Sequence, residues 1–166
     1  MLILLQIVLG IMYANVLEWM IHKYILHDLG KKWKNSIFRF HWSEHHKVAR
    51  KNKMLDESYN ISWWKEMGRA KEVLGLGLLA LIHTPLLLIT PWFAATTMLY
   101  TVAYYFAHKR SHLDKEWGRK WLPWHFKHHM MGSQEHSFGV LMPITDVIKD
   151  AIERNYRAYK AKRDNT

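Results

Sequence analysis

The sequence predicts an all-α integral membrane protein of about three transmembrane helices with a cytoplasmic, helical, histidine-rich cap. Three observations point there: two long stretches almost without charge, basic residues confined to the segments between and after them, and histidines gathered in clusters. A single domain spans residues 1–166, divided into a membrane helix (2–21), a polar segment (22–72), a membrane hairpin (73–107) and a second polar segment (108–166).

The first stretch, "MLILLQIVLGIMYANVLEWMI", has Glu18 as its only charge. A helix needs about 20 apolar residues to cross the hydrocarbon layer, so it can span once. It lacks the basic leader and small-residue cleavage site of a signal peptide, and is read as retained. The second stretch, "VLGLGLLALIHTPLLLITPWFAATTMLYTVAYYFA", is 35 residues without a charge, too long for one crossing. It fits a hairpin turning near Thr90, Pro91 and Trp92. A mean hydropathy of −0.24 averages these stretches with two very polar ones, so windows are the proper test.

All 24 Lys and Arg fall into two blocks, 12 from Lys23 to Lys71 and 12 from Lys109 to Arg163. The positive-inside rule places both blocks in the cytoplasm, which three crossings at 2–21, 73–89 and 92–107 satisfy with the N-terminus outside. The chain is therefore expected to be multi-pass, with its histidine clusters on the cytoplasmic side. A net charge of +10 suits nucleic acid or an anionic membrane surface on composition alone. Beside membrane spans it points to membrane lipids and not to nucleic acid. Residues 58–73, "SYNISWWKEMGRAKEV", read either as an interfacial helix or as one packed under the domain. In the tail, Val147, Ile148, Ala151, Ile152 and Tyr156 follow the spacing of one helix face, the pattern of a packing surface.

Cysteine is absent, so disulfides and thiolate ligands are excluded and a metal site must use nitrogen and oxygen. Ten of the 12 histidines fall into four clusters. "HKYILH" gives His22 and His27; because a spacing of five does not share one face of an ideal helix, His27 is expected at or beyond a loosened end, with a stop at Gly30. "HWSEHH" gives His41, His45 and His46. "HKRSH" gives His108 and His112, and "HFKHH" gives His125, His128 and His129, each on one helix face. One such pair alone is usually a solvated coincidence, but four on the same side of the membrane point to metal. A structural zinc takes four ligands, so ten imidazoles exceed one ion and suit two with about five nitrogens each, a dimetal site held by the cap. Imidazole serves iron, zinc and copper alike. A non-catalytic metal-handling membrane protein fits the same clusters, although transport places ionisable groups along the membrane path, where only Glu18 and His83 lie.

In order, "HKYILH", "HWSEHH", "HKRSH" and "HFKHH" resemble the histidine boxes of the membrane-bound fatty acid hydroxylase and sterol desaturase superfamily, and the likeness extends to "LPWHFKHH" and "SFGVLMPITDVI". The resemblance implies a non-haem di-iron centre, two iron ions held by the ten clustered histidines, that uses O2 to hydroxylate or desaturate an apolar lipid. Zinc can replace iron in purified protein, because divalent iron binds more weakly. A bacterial-type β-carotene hydroxylase is also similar, but that family has four residues between the histidines of its third box where "HKRSH" has three. The chain has no nucleotide-binding glycine motif and no cysteine for an iron–sulfur cluster, so a separate electron donor is expected, a ferredoxin or small cytochrome with its reductase.

Beyond the boxes, Glu18 lies one turn before His22 and is expected to hydrogen-bond it. Glu44, Asp114, Glu135 and His136 are further candidates to support the ligands, with His136 read equally as a surface histidine. His83 is read as bonded to a helix carbonyl, or alternatively as lining a pocket.

Overall fold

Helix α1 (Leu2–Met20) grows from a run of Leu, Ile, Val and Met whose side chains offer the backbone no competing hydrogen bond. A computed structural model of the chain describes residues 1–132 and 135–164, and among them regular structure is entirely helical. The expected stop near Gly30 is absent. Instead Ile21–Leu29 widens to π geometry and Gly30–Lys32 completes one rod of 31 residues. Gly30 keeps helical angles (φ −61°, ψ −34°) and is small for another reason: a Cβ there would come within 3.0 Å of the Phe38 carbonyl. After that close pass the chain forms a second π turn, His41–His46, which runs into Lys47–Lys51.

Residues 58–73 form no single helix. They break into the 3₁₀ turns Glu57–Asn60 and Trp63–Lys65, with Asp56 capping the first through Ser58 N (3.0 Å). Helix α2 (Met67–His83) then starts at Glu66, whose carboxylate caps Arg69 N, and ends in a 3₁₀ turn, Thr84–Leu88. Pro91 opens helix α3 (Pro91–Leu113), so the hairpin turns where expected. Both hairpin helices overrun the uncharged stretch, and this places Arg69, Glu72, His108 and His112 on them.

The rod Leu2–Lys32 and the segment Met67–Leu88 are long and apolar enough to cross a membrane. Helix α3 has the length, 23 residues, but not the composition, since it carries Thr96, Thr97, Thr101, Tyr100, Tyr104 and Tyr105. Several of these polar groups are turned inward: Thr97, Tyr100, Thr101 and Tyr104 are buried. Helix α1 lies along α3, and Gly10 permits the approach, for a Cβ there would sit 2.9 Å from the Phe93 carbonyl. Helix α2 also packs on α3, yet α1 and α2 meet little and a cleft remains between them. Outward-facing Leu4, Val8, Leu78, Leu81, Leu99 and Phe106 are all exposed, an apolar belt far beyond what a water-facing surface carries.

The last part of the chain folds back over α1. Helices α4 (Lys115–Trp121) and α5 (Pro123–Met130) are short, and α6 (Ile144–Asp164) follows. Trp19 Nε1 donates to Asp146 (2.7 Å), Asn15 Nδ2 to the Met142 carbonyl (2.7 Å), and Thr145 Oγ1 to Asn15 Oδ1 (2.8 Å). In α6 the tail stripe does not pack: Val147, Ile148, Ile152 and Tyr156 are all exposed.

Candidate metal centre

All ten clustered histidines are buried, none more than 4% exposed. The two π turns explain how. A π turn brings residues five apart onto one face, as an α turn does for residues four apart. Thus His22 and His27 point the same way, as do His41 and His46, and the two turns meet ring to ring: His22 Nε2 lies 3.0 Å from His41 Nε2, and His27 Nε2 lies 3.0 Å from His46 Nε2. These four offer nitrogens within 4.8 Å of one another. So do His45, His108, His112 and His129. The remaining two rings join one set each. His128 Nε2 stands 3.2 Å from His27 Nε2, and His125 Nε2 stands 3.2 Å from His112 Nε2. The sets adjoin, with the His46 and His129 rings stacked at 4.2 Å.

A metal fits this donor set. Two nitrogens at right angles around an ion, each bonded at about 2.1 Å, sit about 3.0 Å apart, which is the spacing of the closest ring pairs. Buried nitrogens without a hydrogen-bond partner in the structure include His45 Nε2, His108 Nε2 and His129 Nε2, all in the second set. Burial, reinforced by neighbouring rings, holds His41, His45, His46, His125 and His129 well below the usual imidazole range, so their lone pairs are free for a cation. His128 is pulled down to about 4, again chiefly by burial.

Outer hydrogen bonds fix which nitrogen faces inward. The Nδ1 of His22 donates to the Phe138 carbonyl (2.6 Å), that of His112 to Met54 (2.8 Å) and that of His128 to His136 (2.8 Å). His108 differs: its Nδ1 meets the carboxylate of Glu72 (2.8 Å). Next to the centre lies an apolar cavity of about 300 Å³ between α1, α2 and α3. Leu17, Ile21, Leu76, Leu79 and Ile82 are among its walls, and it ends on His22, His41, His45 and His108.

The family model for fatty acid hydroxylase matches residues 7–150, a span that takes in every clustered histidine, all of α2 and α3 and most of α1. The chain belongs to the fatty acid hydroxylase family. No curated protein and no solved structure matches it. Membership makes this fatty acid hydroxylase relative an oxidoreductase of a metal-dependent family, and its buried histidine groups can hold metal.

Of the other residues of this fatty acid hydroxylase family member, some fall differently from the sequence expectation and some agree with it. Glu18 lines the cavity, but its carboxylate accepts from Tyr100 Oη (2.6 Å) and from Val140 N, not from His22. Glu44 is exposed, Asp114 caps α4 by accepting from Trp117 N (3.0 Å), and Glu135 pairs with Lys31 at the surface. The His136 side chain is exposed, and the residue serves the site through its carbonyl. His83 donates Nδ1 to the Leu79 carbonyl (2.6 Å), the helix-carbonyl reading, and accepts from Tyr13 Oη (3.0 Å). Sequence reasoning missed the group behind His45 and His108. Tyr59 Oη donates to Glu72 (3.0 Å), Arg69 Nη1 donates to Glu72 (2.7 Å), and Asp56 lies 3.6 Å from His45 Nδ1. The available signal was Glu72 itself, the last charge before the uncharged stretch.

Proposed function

We propose that this chain is a membrane-bound di-iron oxidoreductase that hydroxylates or desaturates a C–H bond of an apolar lipid, with O2 as oxidant and electrons from a separate carrier. The observation that carries this reading is the apolar cavity ending on the histidine nest. One iron would be held by His22, His27, His41, His46 and His128, the other by His45, His108, His112, His125 and His129. A pair of iron ions supplies the dioxygen activation that side chains alone lack.

The chain's own residues do the rest. Leu17, Ile21, Leu76 and Leu79 take an acyl or isoprenoid chain out of the bilayer and keep water from the reacting carbon. The backbone carbonyls of Phe138, Met54 and His136 hold three rings in orientation. In this reading α1, α2 and α3 cross the membrane and both basic segments face the cytoplasm. The polar side of α3 is tolerated because it is turned toward α1, and the outward stripe of α6 lies in the headgroup layer. The basic blocks give an acidic ferredoxin or small cytochrome its docking face, so turnover falls as salt rises.

The deciding experiment compares lipid extracts of cells with and without the protein by mass spectrometry. A lipid that gains one oxygen atom or loses two hydrogens only when the protein is present is expected. An unchanged lipid profile with metal-loaded protein and a competent donor system favours the metal-handling alternative. Sustained turnover on NADH without a carrier overturns the separate-donor reading.

A further inference from the structure

We infer that the two histidine sets hold their metals unequally, and that Glu72, acting through His108, makes the set of His45, His108, His112, His125 and His129 the tighter one. The inference rests on the two-metal reading above. Ten neutral imidazoles bring no charge to offset two divalent cations, so the nearest anions decide where positive charge is best tolerated. The carboxylates that face the rings directly sit on one side.

Behind the second set stands a buried group of charges. Glu72 accepts from His108 Nδ1 at 2.8 Å, and Asp56 lies 3.6 Å from His45 Nδ1. Arg69 pairs with Glu72 (2.7 Å) and, more loosely, with Glu66 (3.6 Å) and Asp56 (3.9 Å). Buried Glu72 and Asp56, with the partly exposed Glu66, set three carboxylates against one guanidinium and leave this side net negative. A ring whose N–H is held by a carboxylate is a more basic ligand than one held by a neutral acceptor, and it binds a cation more tightly.

The first set is backed differently. His22 and His128 donate to backbone carbonyls, those of Phe138 and His136. Asp146 does stand nearby, but its oxygens accept from Trp19 Nε1, Phe138 N (3.1 Å) and Gly139 N (2.8 Å). Its charge also bears on His128, but the Nδ1 atoms of His22 and His128 are both held by neutral backbone carbonyls. Glu72 is thus a positioning residue for His108 and a counter-charge for the second metal.

The test follows metal, not activity. Full-length protein in detergent is loaded anaerobically with ferrous iron, then challenged with a chelator while bound iron is counted over time. Wild type should lose iron in two phases. His27→Ala should keep the slow phase and His129→Ala should remove it. In Glu72→Gln the slow phase should speed up by about 10- to 100-fold while the fast phase stays put. Glu72→Asp, which keeps the charge, should restore part of the difference, and Tyr59→Phe should change it little. Loss of both irons in a single phase from wild type, or an unaltered slow phase in Glu72→Gln, overturns the inference while leaving two metals in place. Uptake of fewer than two irons by folded wild type fails differently, by overturning the two-metal reading itself. Should Glu72→Gln not fold, the His27→Ala and His129→Ala pair still decides whether the slow metal belongs to the second set.

Discussion

His22 and His27, like His41 and His46, are five residues apart on helix widened to π geometry, whereas His108 and His112, like His125 and His129, are four apart on ordinary α-helix. The first arrangement builds most of one histidine set and the second most of the other. Ligand spacing and helix pitch are matched in both, by opposite routes. On α3 and α5 the backbone's preferred pitch already aligns the rings. In the π turns the backbone departs from that pitch, a geometry rare elsewhere and common at functional sites. What holds it is the ring-to-ring packing of the two turns against each other, together with any metal they share. The first set therefore depends on its contents more than the second does.

The strongest way to break this contrast is to add one residue to the first π turn. An alanine inserted after Tyr24 sets His22 and His27 six apart, a spacing that neither pitch brings onto one face, and should carry His27 out of the nest. Bound metal should drop by one ion per chain and product formation by orders of magnitude, both measured on the same detergent-solubilised sample. His129→Ala comes next: folding and membrane insertion should survive, since no crossing is touched, but activity should again fall steeply. Full lipid oxidation by this variant would contradict the oxygenase assignment.

Acid sharpens the comparison. Because burial lowers His128 from 6.5 to about 4, its neutral form stabilises the fold fully above pH 6.5, and that contribution is gone once pH has fallen through about 4. Rings held lower still extend the loss further down. Metal should leave over the same descent, since protonated imidazole cannot ligate. Hydrogen exchange on metal-free protein at neutral pH should then show residues 21–29 and 41–46 opening more readily than the end of α3. Equal protection in both regions would mean the π turns stand without metal.

Smaller effects should follow from the residues at the rim. Glu18→Gln keeps the size of a side chain that binds Tyr100 and Val140, and activity should fall about tenfold with both metals retained. His136→Ala should leave metal content and turnover unchanged, because the carbonyl and not the ring serves His128.

Much of this was legible in the sequence. Spacing and box order singled out the ten histidines that the fold brings together, and Pro91 marked the hairpin turn. The π turns were not legible, because a spacing of five reads as a helix ending until the partner turn at His41 is known. Gly30 looked like a stop for the same reason; its real constraint is the passing Phe38 carbonyl. Asp56, Tyr59 and Glu72 support the centre from positions set by the start of α2, a long-range fact that no local pattern announces. Glu18 was assigned to the nearest ring along the helix, yet across space Tyr100 and Val140 claim it.

The clamp of the C-terminal segment on α1 has a bearing on biosynthesis. Asn15, Glu18 and Trp19 are made at least 122 residues ahead of their partners Val140, Met142, Thr145 and Asp146. Until then α1 holds a carboxylate and an amide in an apolar setting, with Tyr100 as their partner from the hairpin. Phe138, whose carbonyl orients His22, arrives with the same late segment. The nest is therefore completed only once the segment after His129 has been made, and a chain cut short before it leaves polar groups of α1 unsatisfied, a form that quality-control proteases can tell from the finished protein.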